Sequence, residues 1–331
     1  MIEASLWHPV ARADDLAACT RLAVTLLEEP VVLWREAGGT PHAWADRCPH
    51  RGARLSLGMV QGDKLQCAYH GWRFDGSGQA IVVPARPEFV PSATHHACTY
   101  AAQERYGMVW VRLARDEPGS EIPAFAAEDD ARLRKLSCGP FDVAASAPRI
   151  VENFLDMAHF GFVHEGWLGA REHTAVEPYD VTATPTGLLA TGCKAWQPRS
   201  SVQAQGGAQV EYTYEVTAPY SAVLTKLPEP GSVAIAGFRE AIALFICPVT
   251  PETSRVWFRL AVGDFESPDA SLQDFQRTIF MQDRPVLESQ SPKRLPISDA
   301  AATQELHSAA DRAATAYRRH LRERGIRFGV C

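Results

Sequence analysis

The first third of the chain consists of short apolar and β-branched segments that are separated by polar turns. The segments at 22–26, 31–34 and 108–113 are rich in Val, Leu and Trp, and turns that contain glycine lie at 37–40 and 75–78. This pattern is typical of short β-strands in one compact domain. We therefore predict a β-rich domain over residues 1–115.

A polar stretch with proline and glycine comes next, and we expect residues 116–134 to connect two domains. Beyond it, the pattern of residues 185–262 is again typical of extended segments. Polar and apolar residues alternate most clearly at 211–216. This pattern predicts a central antiparallel sheet in a second domain that spans residues 135–331.

Helical periodicity appears in three parts of this second domain. A short helix is predicted at 152–163. Asp269 and Asp299 are the predicted N-caps of two later helices, the second of which runs through Leu306 toward Arg324. The expected fold class is α+β, with an all-β domain followed by an α+β domain whose sheet is flanked by helices.

Composition narrows the class of protein. A chain of 331 residues with 46% hydrophobic and 22% charged residues is typical of a globular protein with a sizeable core. The net charge of −6 and the lack of a Lys/Arg-rich run argue against nucleic-acid and membrane partners. The most apolar stretch, 233–249, is interrupted by Arg239 and Glu240, so no membrane span is predicted. The N-terminus has no signal-peptide pattern and the cysteines are scattered, so we expect a cytoplasmic protein with reduced thiols.

Two short motifs in the first domain carry candidate chemistry. Cys48-Pro-His50 is followed, after sixteen residues, by Cys67-Ala-Tyr-His70. Each motif offers one thiolate and one imidazole, and a Rieske [2Fe–2S] cluster needs two of each, with the histidines on one iron. The spacing resembles the Rieske signature, including the glycines that follow each motif. Cys2His2 is also a zinc set, but zinc modules usually pair Cys with Cys and His with His, and this chain has no C-x-x-C.

A second group of metal-binding side chains lies in the segment 152–164. Asn153, Asp156, His159 and His164 recur in an otherwise apolar sequence. Asp156 and His159 would share a helical face, whereas His164 would turn away unless the helix yields near Phe160-Gly161. Taken alone, two histidines in an apolar helix are more often hydrogen-bonded core residues. A non-haem iron site, by contrast, needs two histidines, a carboxylate and open positions for O2.

The two motifs together resemble the oxygenase component of Rieske non-haem iron oxygenases over nearly the whole chain. The resemblance implies that His159 and His164 bind a mononuclear Fe(II). It also implies that Asp156 links this iron to a cluster histidine of the neighbouring subunit, for which His70 is the family-like choice. Asn153 matches a position close to the iron ligands.

The resemblance also requires a carboxylate ligand from far along the chain. The candidates are Asp274, Asp283, Glu288 and Asp299. Asp283 is preferred because the segment 281–288 looks like the family's ligand segment, in which an acidic residue precedes an apolar turn that ends in Glu. The family usually has an acidic residue directly before this Asp, whereas this chain has glutamine.

Electrons must come from outside, because the sequence has no G-x-G-x-x-G nucleotide motif and no third redox motif. The resemblance implies a separate NAD(P)H-dependent reductase, with or without a ferredoxin, and a homotrimer. It further implies that O2 is used to oxidise a methyl, methoxy or N-methyl group of a small aromatic or heterocyclic substrate. The alternatives are a ring-hydroxylating dioxygenase, a Rieske electron carrier without oxygen chemistry, and a zinc-stabilised binding module.

Substrate contacts are harder to predict from sequence. Apolar residues that could line a pocket, although a core position is expected for each, are Leu155, Phe160, Val163, Leu244, Ile246 and Phe280. Arg199, Lys226 and Arg239 could pair with a substrate carboxylate or sulfonate, but the expectation for each is a surface position.

Overall fold

The computed structural model describes residues 1–115, 120–298 and 305–331. The chain divides into two compact units, Met1–Ile122 and Pro123–Cys331. Residues 116–119 of the predicted connecting segment lie outside the described residues.

The first unit is built from short strands. In its described part these are β1 His8–Arg12, β2 Arg21–Leu26, β3 Glu29–Arg35, β4 Pro41–Ala45, β5 Met59–Gln61, β6 Lys64–Gln66, β7 Arg73–Phe74, β8 Ala80–Val82, β9 Thr99–Arg105 and β10 Met108–Arg112. Among these residues, one six-stranded antiparallel sheet has the order β1-β10-β9-β4-β3-β2 and a four-stranded sheet the order β5-β6-β7-β8. The predicted all-β domain is confirmed.

Aromatic side chains fill the core of this unit. The rings of Trp34 and Trp44 meet edge to face with centroids 5.0 Å apart, and Trp44 meets Phe74 at 6.3 Å. Cys48 and Cys67 belong to the same buried cluster as these three rings. Protein interiors are close-packed, so the surrounding core holds the two motif cysteines in fixed positions.

The second unit is organised on one long antiparallel sheet. Its described strands are β11 Arg134–Val143, β12 Asp180–Ala183, β13 Leu188–Gln197, β14 Ala208–Ala218, β15 Ser221–Pro228, β16 Glu240–Thr250 and β17 Thr253–Val262. Within the described ranges the sheet has seven strands in the order β11-β17-β16-β15-β14-β13-β12. Burial alternates along β14, so its two faces have different environments.

Helices pack against this sheet. They are α1 Ala147–Phe154, α2 Phe160–Val163, α3 Asp269–Ser289 and α4 Arg312–Glu323. Phe280 of α3 places its ring 5.1 Å from those of Phe141 and Phe258 on the sheet. The Tyr317 hydroxyl of α4 donates a hydrogen bond of 2.6 Å to the carbonyl of Pro219. The predicted α+β class, with helices around a central antiparallel sheet, is confirmed.

The single helix predicted at 152–163 is wrong in its extent. α1 begins earlier, where the Ser146 side chain accepts a hydrogen bond from the Arg149 amide, and it ends at Phe154. Asp156 then accepts a hydrogen bond of 2.8 Å from the amide of Ala158. This side-chain turn competes with helical hydrogen bonding, so the chain leaves the helix before α2 begins. Asp156 and His159 therefore lie in a turn and do not share a helical face.

Asp269 is not the N-cap of its helix, and the last helix begins later than predicted. Pro268 is the N-cap of α3, and Asp269 is its first residue, with its carboxylate paired to Arg134. α4 begins only at Arg312, after a short 3-10 turn that Ser308 caps. Leu306 therefore precedes the helix, and Asp299 lies outside the described residues.

In the part of the chain that the structure describes, no helix combines the length and apolar character needed to cross a bilayer.

Candidate functional site

The two cysteine motifs form two copies of the same loop. The amide of Cys48 donates to the carbonyl of Ala53, and the amide of Cys67 donates to that of Trp72, five residues on in each case. The glycine four residues after each cysteine then donates back to the cysteine carbonyl. Those two glycines, at 52 and 71, have φ values of 72° and 71°, a conformation that glycine adopts without strain.

Side chains from both loops converge. The side chains of Cys48 and Cys67 are close enough to interact electrostatically, and each residue is only 2% exposed. The rings of His50 and His70 have centroids 4.6 Å apart, and that of His70 is exposed. Trp72 stacks on His50 at 4.6 Å with an angle of 9° between the planes.

This donor set fits a Rieske cluster. Two buried cysteines interact with each other, and the imidazoles from the same two loops are in contact. Burial, and to a smaller extent the nearby Cys67, raises the pKa of Cys48 to about 11. Two thiolates at this place therefore need positive charge between them, which the irons of a [2Fe–2S] cluster supply. Desolvation and the neighbouring His70 lower the pKa of His50, which favours the neutral imidazole that a metal ligand requires.

The second group of side chains meets in the second unit. His159 immediately precedes α2, His164 follows it, and Asp283 comes from α3. The Nε2 atoms of the two histidines are 3.1 Å apart, and Oδ1 of Asp283 lies 3.3 Å from the first and 3.2 Å from the second. Among the described residues, these three form a group whose ligand atoms all lie within 4.8 Å of one another, close enough to hold one metal ion.

The outer nitrogen of each imidazole fixes the orientation of the ring. Nδ1 of His159 donates to Asp156 Oδ2 at 3.0 Å, and Nδ1 of His164 donates to Gln282 Oε1 at 2.8 Å. With Nδ1 protonated, both neutral rings present Nε2 lone pairs to each other at 3.1 Å. Two lone pairs at this distance repel unless a proton or a cation lies between them. The set of two imidazoles and one carboxylate fits a two-His-one-carboxylate iron site.

The pKa values of His159 and Asp283 show the sign of the charge that this arrangement favours. Burial alone would lower the pKa of His159, but its hydrogen bonds to Asp156 and Asp283 outweigh burial and raise the pKa to about 9. Burial alone would raise the pKa of Asp283, but the two histidines lower it to about 2. The group therefore stabilises positive charge at its centre.

Asn153, the other polar residue singled out by the sequence, also lies at this group. Its side-chain amide donates to Asp283 Oδ1 at 3.3 Å. Asn153 therefore holds the carboxylate toward the two histidines.

The other carboxylates considered as ligands lie elsewhere. Glu288 accepts hydrogen bonds from the amide of Ala144 and from Arg284. Asp274 is exposed and lies near Arg277. Asp299 is outside the described residues.

Gly161 does not relieve a distorted helix, contrary to the prediction. The turn before α2 already brings the two histidines together. A Cβ atom at Gly161 would come within 2.9 Å of the carbonyl of Ala170, and one at Gly169 within 2.5 Å of the backbone of Phe160. The two glycines allow the chain after His164 to fold back directly against α2.

A cavity opens beside the two histidines and encloses about 590 Å³ of atom-free space, including its mouth. Its lining comprises Asn153, Phe154, His159, Phe160, His164, Leu168, Tyr212, Tyr214, Leu224, Lys226, Glu240, Ile242, Phe275, Gln276 and Ile279. Of the six apolar residues considered from sequence, Phe160 lines this cavity.

The surface position expected for Lys226 is wrong, because Lys226 is 3% exposed and lines the cavity. Arg199 is exposed, as expected, and Arg239 is half-buried against Asp130. Glu240 and Tyr212 also line the cavity, although the sequence did not single them out. A signal was present in β15, where Ala222, Leu224 and Lys226 share one face and the lysine interrupts an otherwise apolar series.

Asp156 borders a different cavity from the one that Lys226 lines. This second cavity has about 960 Å³ of atom-free space, and Asp156 and His159 both line it. The side chain of Asp156 remains 30% exposed. His159 therefore borders both cavities, one of them shared with Lys226 and the other with Asp156.

Comparison with known proteins agrees with these two centres. Residues 6–100 match the Rieske [2Fe-2S] domain, and residues 143–325 match the vanillate O-demethylase oxygenase C-terminal domain. Methylxanthine N1-demethylase NdmA of Pseudomonas putida is 32% identical over 332 residues, which cover 96% of this chain and 88% of the relative.

A solved structure and one more curated relative extend the comparison. The structure of Pseudomonas putida NdmA with caffeine superimposes with a TM-score of 0.86 at 31% identity, covering 97% of this chain and 91% of that one. Oxidoreductase NdmD of the same species is 36% identical over 133 residues, which are 40% of this chain and 22% of the relative. The chain thus belongs to the Rieske non-haem iron oxygenases, as a terminal oxygenase with a Rieske [2Fe–2S] domain and a vanillate O-demethylase-type catalytic domain.

Proposed function

We propose that this oxygenase removes or hydroxylates a methyl group on a small aromatic or heterocyclic compound. The observation that carries the proposal is the aromatic-walled cavity that opens directly on His159 and His164. A methylated ring held there would have its methyl group beside the ligand set. Relatives of this chain include a methylxanthine N1-demethylase, whose reaction is of this kind.

The residues have separable roles in this proposal. Cys48, His50, Cys67 and His70 hold the [2Fe–2S] cluster in the domain of residues 1–115. In the domain of residues 135–331, His159, His164 and Asp283 hold a mononuclear Fe(II), which supplies O2 activation when bound. Asn153 orients the carboxylate. Asp156 orients His159 and provides the route by which an electron reaches this site.

The overall reaction balances as a monooxygenation. A methyl group R–CH3, one O2, two electrons and two protons give R–CH2OH and one water. Where R is a ring nitrogen or an ether oxygen, the hydroxymethyl product collapses to R–H and formaldehyde. The apolar residues of the lining, among them Phe154, Leu168 and Ile242, shield the methyl group from water while this occurs.

Partners follow from the electron count. The two electrons come from NAD(P)H through a separate reductase, with or without a ferredoxin. The oxygenase is a homotrimer, in which Asp156 faces a cluster histidine of the neighbouring subunit. The partial exposure of Asp156 beside a cavity supports such a contact. We place the enzyme in the cytoplasm, where its eight cysteines, all free in the structure, stay reduced.

Turnover by the holoenzyme tests the proposal. Protein loaded with cluster and Fe(II) is combined with NADH, a surrogate reductase and a panel of N-methyl and O-methyl compounds. We expect formaldehyde and NAD⁺ to form in equal amounts with at least one compound. Formation of a ring cis-diol would instead identify a ring-hydroxylating dioxygenase. Cluster reduction without product from any compound would identify an electron carrier.

A further inference from the structure

A lysine and a glutamate face each other across two strands of the catalytic sheet, inside the cavity. The backbone register pairs Tyr212 with Lys226 and Lys226 with Glu240, so the three residues form one row across β14, β15 and β16. All three line the cavity that His159 and His164 also line. The three residues therefore line the same cavity as the histidines of the candidate iron site.

The charged atoms of this row are buried. The side chain of Lys226 is 4% exposed and that of Glu240 is 13% exposed, and their charged atoms are 4.0 Å apart. Within the described ranges no hydrogen bond to either charged group is found, and 4.0 Å is too long for one between them. Buried charges are normally hydrogen-bonded, so this pair has unused donors and an unused acceptor.

One aromatic ring and one further carboxylate act on the pair. Phe275 lies with its ring centroid 5.9 Å from the Lys226 ammonium. The charged groups that act on Glu240 are Lys226, which is attractive, and Asp264, which is repulsive. Asp264 is itself held by the amides of Glu266 and Ser267. A ligand therefore meets one positive and one negative group side by side.

We propose that Lys226 and Glu240 select a neutral heterocycle that carries a ring N–H next to a carbonyl, as in a lactam or an imide. The Lys226 ammonium donates to the ring carbonyl and the Glu240 carboxylate accepts from the ring N–H. This inference deepens the proposed function, on which it rests, by naming the substrate class of the same cavity.

Charge argues against the other common substrate class. An aromatic carboxylate or sulfonate would pair with Lys226 but would bring a second negative charge beside Glu240. That charge would be buried without its own partner, which is costly. A lactam or imide adds no net charge and satisfies both groups, since each receives the hydrogen bond that it lacks.

Binding to the holoenzyme tests the proposal with two matched ligand pairs. Theobromine and 1-methyluracil keep an imide N–H, whereas caffeine and 1,3-dimethyluracil carry a methyl group on that nitrogen. Vanillate serves as the anionic ligand. Dissociation constants are measured by isothermal titration calorimetry, independently of turnover. We expect the N–H member of each pair to bind about 10- to 100-fold more tightly than its methylated counterpart, the range for a hydrogen bond to a charged group.

Two variants locate the effect. Lys226→Met/Glu240→Leu removes both charges at similar volume, a change that is often tolerated, and should abolish the preference for the N–H ligands. Glu240→Gln keeps an acceptor but removes the negative charge, and should bind vanillate at least tenfold more tightly than the unchanged protein. The matched control is Lys194→Met/Glu211→Leu, an exposed lysine and glutamate paired across β13 and β14 of the same sheet, which should change nothing.

The outcomes separate this inference from the proposed function. Three results would overturn the recognition role of Lys226 and Glu240. They are equal affinities within each ligand pair, no binding of either N–H ligand, and tighter binding of vanillate than of the N–H ligands by the unchanged protein. Formaldehyde release from any methylated compound would still support the proposed function in that case. An N–H preference that the double variant abolishes, without turnover, would support the recognition role and count against demethylation.

Discussion

The amide oxygen of Gln282 accepts a hydrogen bond of 2.8 Å from Nδ1 of His164, whereas the equivalent nitrogen of His159 is bonded to a carboxylate, that of Asp156. Each imidazole of the candidate iron site is thus held by an acceptor at Nδ1. The acceptor is neutral for His164 and charged for His159. An acceptor at Nδ1 fixes the ring and its tautomer and raises the basicity of Nε2.

Removal of the Gln282 acceptor should weaken iron binding. In Gln282→Leu, nothing holds His164 in the tautomer with a free Nε2 lone pair, so we expect Fe(II) affinity to fall about 10–100-fold. Gln282→Glu keeps an acceptor and should bind iron at least as tightly as the unchanged protein. Iron titration with a competing chelator measures both, and Gln276→Leu on the same helix is the control. Unchanged affinity in Gln282→Leu would mean that the hydrogen bond has no influence on the site.

Asp283 should be required for iron and for turnover, and not for the cluster. Asp283→Ala removes the only carboxylate in the described group of three ligands, so we expect loss of mononuclear iron and of product formation. His159→Ala should behave in the same way. The visible spectrum of the cluster should be unchanged in both, and Asp274→Ala, an exposed position on the same helix, should retain iron. Iron and activity retained in Asp283→Ala would shift the ligand role to Glu288 or Asp299.

Sequence was sufficient where the chemistry is local. Cys48, His50, Cys67 and His70 lie in two short loops whose backbone geometry is set within six residues, so the motif itself encodes the arrangement. The residue types in the segment 152–164 likewise identified a candidate metal centre. The sequence did not show that a side-chain turn at Asp156 follows the helix, because the choice between such a turn and a helix depends on small energy differences.

Contacts between distant segments were beyond sequence reasoning. Gln282 reaches His164 across 118 residues, and Lys226 meets Glu240 only because β15 and β16 pair in one particular register. A shift of one residue would turn one of these side chains to the other face of the sheet. Resemblance to a family supplied Asp283, which residue patterns alone had left among four candidates.

Cys67 should be essential for the Rieske cluster. Cys67→Ser replaces a soft thiolate with a hydroxyl that binds iron poorly, so the EPR signal of the reduced cluster should disappear. Cys19→Ser, an exposed cysteine in the same unit, should keep the full signal. An unaltered signal in Cys67→Ser would rule out this ligand set.

Iron binding should release about one proton. In the metal-free protein the pKa of His159 is raised to about 9, so the ring is charged at pH 7.5 and must lose its proton to bind a metal. Because the pKa of His159 is raised from 6.5 to about 9 on folding, its protonation stabilises the metal-free fold. This contribution is complete below pH 6.5 and is lost as the pH rises through 9. Iron affinity should therefore increase from pH 6.5 to 9. Calorimetry in two buffers of different ionisation enthalpy counts the protons, and a count near zero would contradict the protonated state.

Asp156 combines two contacts that its substitution can separate. Its carboxylate accepts hydrogen bonds from Nδ1 of His159 and from the amide of Ala158, yet it remains 30% exposed beside the second cavity. The inward contact orients an iron ligand. The exposed part is available to the N–H of a cluster imidazole from a neighbouring subunit, as in the proposed function.

Asp156→Asn should therefore interrupt electron transfer between the two metal centres, while the cluster and the iron both stay bound. The asparagine oxygen can still accept from one of the two inward donors, so iron affinity should stay within about tenfold of that of the unchanged protein. The charged acceptor for a cluster imidazole is lost, and we expect product formation to fall by about 100-fold or more while the reductase still reduces the cluster at its normal rate. Asp142→Asn, an exposed carboxylate bonded to Arg255, is the control. In a single turnover of the pre-reduced variant with substrate and O2, the cluster should stay reduced. Cluster oxidation at a near-normal rate would show that Asp156 only shapes the turn before α2.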